Sequence, residues 1–136
     1  MKLLTILKDI LSALKTLQDR KNLYYYRNAT VASQYGKTIT LCSITLPTTG
    51  IYLILGGVAS STSSSSICMA NITVGANCTS LCGALGRSTM NSGGGTLAFM
   101  LAEVTESNGV VNLTSYGYQN STYNLYGKLI AIKLAR

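Results

Sequence analysis

From Thr38 to the end of the chain, short β-type segments alternate with turn residues, and this pattern constrains the fold more than any other feature. The segments are rich in β-branched, aromatic or alternating apolar residues, and glycine, serine, asparagine or proline separates them. No helical pattern lies among them, which excludes a parallel α/β fold and predicts an antiparallel β-sandwich or barrel. Seven strands are predicted, at residues 38–46, 51–59, 67–74, 77–85, 96–105, 110–118 and 123–134.

The first predicted strand, TITLCSITL, has a period of two and stops at Pro47. Strict alternation places Ile39, Leu41, Ser43 and Thr45 on one face, and Thr40, Cys42, Ile44 and Leu46 on the other. The connections between strands are expected to be a serine-rich loop at 60–66, a turn around Gly75, a loop at 87–95, a hairpin-like turn ESNGV at 106–110 and the segment YQNST at 118–122.

The first 22 residues predict an amphipathic helix. Apolar residues fill the a and d positions of a heptad pattern, which are Leu3, Ile6, Ile10, Ala13 and Leu17. A helix of under three heptads is marginal alone, so it needs either a bundle of copies or a packing site on its own domain, and both options stay open. The predicted organisation is therefore a helix at 1–22 that serves as a trimerisation stalk or attachment segment, a connector at 23–37 and a β domain at 38–136.

The charge of the chain argues against several classes of function. Of 136 residues, 11 are Lys or Arg, 4 are Asp or Glu, and none is His, which excludes histidine catalysis and histidine metal ligands. The net charge of +7 is concentrated before residue 38, so the β domain has no basic stripe and nucleic acid is not an expected partner. We expect a protein that is not an enzyme and has no cofactor.

The four cysteines, Cys42, Cys68, Cys78 and Cys82, are expected to be small buried hydrophobic residues rather than disulfides or metal ligands. The pair Cys78 and Cys82 has no second pair and no histidine, so no metal is predicted. Lys8 and Asp9 interrupt the N-terminal apolar run before it reaches the length of a signal-peptide core, and no stretch is long enough for a membrane span. Membrane insertion is therefore not expected.

The order of several segments resembles a known family. LPTTGIYLI leads into the second strand, a glycine- and serine-rich middle follows, then NSGGGTLAFMLAEV and NGVVNLTSYGYQNS, and the chain ends on NLYGKLIAIKLAR. This arrangement, over residues 38–136, resembles the trimeric jelly-roll heads of phage tail-fibre and receptor-binding proteins, akin to the complement globular-head and tumour-necrosis-factor-like fold. The resemblance implies a jelly roll, a homotrimer, and other virion proteins as partners of the N-terminal segment.

Recognition of a glycan or surface polymer requires aromatic platforms beside amide and hydroxyl groups on rigidly held loops. Two segments have this composition, one after the sixth predicted strand and one in the loop at 87–95. The candidate ligand-binding residues are Tyr116, Tyr118, Gln119, Asn120, Tyr123, Asn124, Arg87 and Asn91. The alternative is that the tyrosines fill a trimer axis or a sheet face.

The leading functional hypothesis is a non-enzymatic, homotrimeric receptor-binding module or fibre of a virion, made in the host cytoplasm and acting outside the cell on a host-surface glycan or polymer. The main alternative is a structural virion protein, such as a collar, head-fibre or decoration protein, that contacts only other virion subunits. A cytokine-like or complement-like secreted ligand is a third hypothesis. Cell binding by the isolated protein separates the first two.

Overall fold

The computed structural model describes residues 2–21, 24–61, 66–90, 95–118 and 122–135. One helix precedes nine strands in these residues. The helix is α1 (Lys2–Lys21), and the strands are β1 (Tyr24–Ala32), β2 (Thr38–Leu46), β3 (Gly50–Ser60), β4 (Ser66–Val74), β5 (Cys78–Ala84), β6 (Gly86–Met90), β7 (Gly95–Val104), β8 (Gly109–Tyr116) and β9 (Asn124–Ala135).

The strands form two antiparallel sheets that pack face to face. The five-stranded sheet has the order β1-β9-β3-β7-β5, and the four-stranded sheet has the order β2-β8-β4-β6. Each strand lies in the opposite sheet from the strand before it, so every connection crosses from one sheet to the other. The predicted mostly-β sandwich with a helix before it is therefore confirmed. The turn at 106–110 was predicted to be hairpin-like, and this is wrong, because it joins β7 and β8 of different sheets.

Two strands were not predicted. The connector at 23–37 contains β1, which pairs along its whole length with β9, and the loop at 87–95 begins inside β6. Both are edge strands, but the edge strands β2 and β5 were predicted, so the composition of β1 and β6 rather than their position hid them. In β1 the run of three tyrosines and the exposed Arg27 hide the period of two, and the sequence of β6, GRSTM, has almost no apolar residues.

The predicted faces of β2 are partly wrong because the strand contains a bulge. The pairing of β2 with β8 shifts between Thr40 and Cys42, so one residue of β2 has no partner there. Leu41, Ile44 and Leu46 consequently all face the core and are at most 5% exposed, although strict alternation separates Leu41 from the other two. A bulge of this kind changes which residues point inward without changing the strand itself.

The core lies between the inner faces of the sheets. Its largest fully buried side chains include Tyr52, Ile54 and Val58 of β3, Leu113 of β8 and Leu129 of β9. Gly127 of β9 allows the sheets to approach, because a Cβ there would lie 2.9 Å from the Cβ of Leu41. Each of the predicted strands therefore contributes fully buried side chains to the core, except β5, which is largely exposed.

The two outer faces of the sandwich differ sharply in chemistry. The four-stranded sheet presents hydroxyl and amide side chains over much of its outer face, among them Thr40, Ser43, Thr45, Asn71, Thr73 and Asn112. The five-stranded sheet presents apolar side chains in two adjacent rows across its strands. One row runs Tyr26, Ile130, Leu55, Phe99 and Ala84, and the next runs Ile132, Leu53, Leu101 and Cys82. We call these two rows the apolar sheet face.

Helix α1 does not pack on the sandwich along Lys2–Lys15, where every side chain is exposed. The stripe residues Leu3, Ile6 and Ile10 are 69%, 53% and 49% exposed, and Ala13 is also exposed. Leu17 lies within α1, but its side chain is outside the described residues. Of the two options for the helix, packing on its own domain is therefore wrong for this stretch. In the described residues, no helix is both long and apolar enough to span a membrane.

Candidate functional site

The end of the sandwich remote from α1 gathers the connections β1–β2, β3–β4, β6–β7 and β8–β9, and we call it the distal end. Helix α1 leads into the opposite end, where β1 begins and β9 finishes. Backbone hydrogen bonds hold the distal connections to each other: Ser33 N–H donates to the Tyr123 carbonyl at 2.8 Å, and Ser61 N–H donates to the Asn124 carbonyl at 3.0 Å. The strand ends that flank the two predicted recognition segments, Met90 and Gly95 for one and Tyr116 and Asn124 for the other, therefore lie at the same end of the molecule.

Tyr116 and Tyr118 are the predicted site residues that the structure brings into contact. Their ring centroids lie 4.7 Å apart at an interplanar angle of 63°, a favourable edge-to-face geometry, and both rings are half-buried. The Tyr118 hydroxyl lies 3.7 Å from the Met69 sulfur, so the pair is tied to β4 on the outer side of the four-stranded sheet. Packing of this kind uses much of both ring surfaces and leaves a partly exposed aromatic cluster.

Tyr123 is placed differently from the prediction. Its side chain is only 7% exposed and belongs to the hydrophobic core, because the residue lies just before β9 with its side chain turned between the sheets. Its backbone N–H donates to the Ser33 hydroxyl at 3.1 Å. The prediction that Tyr123 is a surface residue for ligand binding is therefore wrong. The residue instead holds the β8–β9 connection against the end of β1.

Replacing Tyr123 with phenylalanine is expected not to destabilise the protein, and to raise the free energy of unfolding by up to about 1 kcal/mol. The Tyr123 hydroxyl is buried and has no hydrogen-bond partner in the part of the chain that the structure describes, so the substitution removes an unsatisfied polar group. Urea unfolding followed by circular dichroism measures the difference. A loss of more than about 0.5 kcal/mol would show that the hydroxyl has a partner.

The other predicted site residues have separate outcomes. Asn124 is exposed at the start of β9, and its N–H donates to the Ser61 hydroxyl at 3.0 Å. Arg87 lies in β6 rather than in a loop, and its side chain is outside the described residues. Gln119, Asn120 and Asn91 also lie outside the described residues.

A groove that the sequence did not reveal opens on the outer side of the five-stranded sheet at its distal end. Its volume is about 610 Å³. Small residues of β3 and β7, Gly57, Ala59 and Gly95, form its floor, and Tyr126 and Lys128 of β9 stand opposite Leu97 of β7. Asn28 and Thr30 of β1 and Thr96 of β7 complete the lining. We call this the distal groove. Asn28 and Thr30 belong to the unpredicted strand, so only the assembled sheet brings these residues together.

The cysteine thiols are structural in character. Burial raises the pKa of Cys68, whose thiol donates to the Val58 carbonyl at 3.3 Å, and it also raises the pKa of Cys42 and of Cys78. A raised pKa leaves less thiolate at neutral pH, which lowers reactivity. The expectation that all four are buried is confirmed for Cys68, whereas Cys42 and Cys78 are half-buried and Cys82 is exposed on β5. The described residues include no cluster of three or more His, Cys, Asp or Glu side chains able to hold a metal ion.

Comparison of the chain with known proteins gave one structural similarity, which is weak. No protein-family model matches the chain, and no curated protein matches it. Among solved structures, the tripod (BppUct-A-L) from the baseplate of bacteriophage Tuc2009 is similar over 79% of this chain, with 12% identity and a TM-score of 0.45. The chain spans 64% of the length of that protein. A likeness of this size does not establish a shared fold.

Proposed function

We propose that this chain is a non-enzymatic subunit of a homotrimeric head in a phage or prophage virion, where the head binds a host-surface glycan or polymer. The observation that carries the proposal is the contrast between the two outer faces of the sandwich. The four-stranded sheet is polar outside, whereas the apolar sheet face has Leu55, Phe99 and Tyr26 exposed at 39%, 47% and 42%. Contiguous apolar surface of this kind is characteristic of a subunit interface.

A second copy of the chain is the expected partner of the apolar sheet face. Helix α1 carries the other large uncovered apolar surface, and it leads into β1, which is the edge strand of the same five-stranded sheet. Copies that associate through their helices therefore bring these sheets close together. Isoleucine at heptad a and d positions favours three copies over two. A trimer would also account for how few charges, 11% of the residues, keep the chain in solution.

The order of the strands supports a jelly roll as the form of the sandwich. Successive strands change sheet at every connection, and β1-β9-β3-β7 faces β2-β8-β4-β6. Two packed four-stranded sheets wound in this way are the arrangement of a jelly roll, with β5 as an additional edge strand. Jelly rolls occur in capsid and lectin domains, which fits a virion head with a binding role, although the fold alone does not determine function.

The position of the candidate recognition residues supports binding at the distal end. If α1 is the stalk, the connections that carry Tyr116, Tyr118 and Asn124 lie at the other end of the head and point away from the virion. Three copies would present each weak site three times, and linked binding can raise the overall affinity by about a hundredfold or more. The absence of histidine from the sequence and the small number of carboxylates favour a role without catalysis.

Light scattering and cell adsorption test this function. The whole chain is expected to have a mass of about 43 kDa, three times the 14.4 kDa of one copy. A truncated chain must begin at residue 23 or earlier, because β1 is part of the sheet, and it is expected to remain trimeric through the apolar sheet face at a higher dissociation constant. A monomeric whole chain contradicts the proposal.

The fluorescently labelled trimer is then incubated with a panel of Gram-positive and Gram-negative bacterial cells. Saturable adsorption to at least one strain is expected, and adsorption that an excess of unlabelled chain does not displace argues for non-specific attachment. A stable trimer that adsorbs to no strain favours the alternative of a structural virion protein, such as a collar, head-fibre or decoration protein.

A further inference from the structure

We propose that the distal groove binds the ring of an acidic saccharide, one that carries a carboxylate or a phosphate. This inference rests on the proposed function, since it names the site and the ligand class through which the head would bind a host surface. It also moves the principal site away from the predicted segment around Tyr116 and onto the outer side of the five-stranded sheet.

The shape of the groove follows from the order of residues along three strands. In β3 and β7, Gly57, Ala59 and Gly95 replace the large apolar side chains that fill the neighbouring rows. The sheet surface therefore drops between β9 and the side chain of Leu97, which is 78% exposed. Neighbouring strands lie about 4.8 Å apart, so a trough that extends from β9 across β3 to β7 is about 10 Å wide. That width and the volume of about 610 Å³ suit a ligand of one or two sugar units.

The walls of the groove offer the groups that a sugar ring requires. Tyr126 is 42% exposed and provides an aromatic surface for the C–H face of the ring, while Leu97 stands on the other side. Asn28 and Thr30 place an amide and a hydroxyl within the lining, and these can bind sugar hydroxyls. Within the described residues, the side chains of Asn28 and Thr30 make no hydrogen bond to other side chains or backbone, so they are available to a ligand.

The charge of the groove selects an acidic ligand. Among the described residues of the lining, Lys128 is the one charged side chain, and none of them is a carboxylate. Lys128 is exposed, and it pairs across the sheet with Asn28 on one side and Gly57 on the other, so its side chain leaves the sheet within the groove. An ammonium beside an aromatic ring and amide groups favours a sugar with a negative substituent over a neutral one.

The position of the groove suits a receptor site on a fibre head. Asn28 and Thr30 lie four and six residues along β1 from the strand's start at Tyr24, where α1 joins the sandwich. At about 3.4 Å per residue, the groove is therefore about 14 to 20 Å from the point of attachment. The apolar sheet face lies between the groove and α1, so a second copy that covers that face leaves the groove at the distal rim.

The binding test titrates the whole chain with glucuronic acid, glucose 1-phosphate and glucose, and follows saturation-transfer difference NMR. At least one acidic sugar is expected to bind with a millimolar dissociation constant, and at least about threefold more tightly than glucose. Binding of glucuronic acid alone indicates a carboxylate ligand, and binding of glucose 1-phosphate alone indicates a phosphate ligand. Binding of neither acidic sugar, or equal binding of glucose, overturns the proposal.

Four variants locate the binding. Tyr126→Ala removes the aromatic wall, and Gly57→Leu fills the floor without backbone conflict, since a Cβ there meets first the flexible end of Leu97 at 3.3 Å. Each is expected to weaken binding at least about tenfold, and Lys128→Gln is expected to abolish the preference for acidic sugars. The matched control is Tyr35→Ala, because Tyr35 is 62% exposed and lies outside both the groove and the apolar sheet face. Binding that survives Tyr126→Ala and Gly57→Leu overturns the assignment.

Cell adsorption by the same variants separates this inference from the proposed function. Adsorption that is lost in Tyr126→Ala and kept in Tyr35→Ala supports both. Adsorption that is unchanged in every groove variant overturns the groove as the receptor site and leaves the host-binding function intact. Sugar binding in the groove by a trimer that adsorbs to no cell contradicts the host-binding function and leaves the groove as a saccharide site.

Discussion

Replacing Leu55 with glutamate is expected to convert the trimer into a monomer, with a fall in solution mass from about 43 kDa to the 14.4 kDa of one chain. Leu55 lies on β3, the central strand of the five-stranded sheet, and its cross-strand neighbours on the apolar sheet face are Phe99 and Ile130. An unpaired carboxylate buried there by a second copy would cost several kcal/mol. Since about 1.4 kcal/mol corresponds to a factor of ten, the dissociation constant should rise more than a hundredfold.

The isolated fold should tolerate this change, because Leu55 is 39% exposed and a glutamate at that position can reach water in the monomer. The circular dichroism spectrum is therefore expected to be unchanged. Thr73→Glu is the matched control, since Thr73 lies on the outer face of β4 in the opposite, polar sheet. A trimer that persists in Leu55→Glu would show that the copies associate elsewhere, and a monomer in Thr73→Glu would place the contact on the other sheet.

Replacing Tyr52 with alanine is expected to lower the free energy of unfolding by about 3–5 kcal/mol. Tyr52 is 0% exposed and is the largest fully buried side chain among the described residues, and its ring lies near Tyr25, with ring centroids 6.3 Å apart. Its hydroxyl donates to the Thr48 carbonyl at 2.9 Å, and the Lys133 ammonium lies 5.8 Å from the ring centroid. Alanine removes the ring and leaves a cavity that the two sheets cannot close.

Tyr52→Phe separates packing from hydrogen bonding in this site. It keeps the ring and removes the hydroxyl, so the expected loss is about 0.5–1.5 kcal/mol. The Lys133 ammonium donates to the Thr48 hydroxyl at 2.9 Å, and this bond does not involve the Tyr52 hydroxyl, so we expect the variant to keep it. Urea unfolding of both variants at one protein concentration makes the comparison, because association changes apparent stability. Equal losses for Tyr52→Ala and Tyr52→Phe would show that the hydroxyl, rather than the ring, holds this end of the sandwich.

The strands that the sequence predicted correctly are those with strong local alternation. The prediction of residues 38–46 matches β2 at both ends, and the six further predictions differ from β3, β4, β5, β7, β8 and β9 by at most two residues at either end. The predicted turn at 106–110 contains Asn108, which adopts a positive φ angle of 63°, whereas Asn77, predicted to begin a strand, lies in the turn before β5 with a φ angle of 58°. These signals are visible because a strand with one face in a core repeats every two residues.

The candidate site was predicted less well, for a physical reason that its residues illustrate. Tyr116 and Tyr118 do form an aromatic pair, but Tyr123, which has the same local composition, turns into the core. The side of the strand on which a tyrosine lies depends on pairing with distant segments, such as the bond from Tyr123 to Ser33. The distal groove depends on such pairing entirely, since Thr30 faces Tyr126 and Gly57 faces both Lys128 and Leu97.

The sequence by itself determined where the helix and most of the strands lie, that few residues are charged, and that no histidine chemistry is possible. These features depend only on residue type and on spacing over a few positions. Tertiary structure decided which strands lie at the edges, where β2 bulges, which outer face is apolar and where the groove opens. Those features arise from contacts between residues as far apart in the sequence as Tyr26 and Ile130. The periodicity of a strand does not specify which distant strand pairs with it.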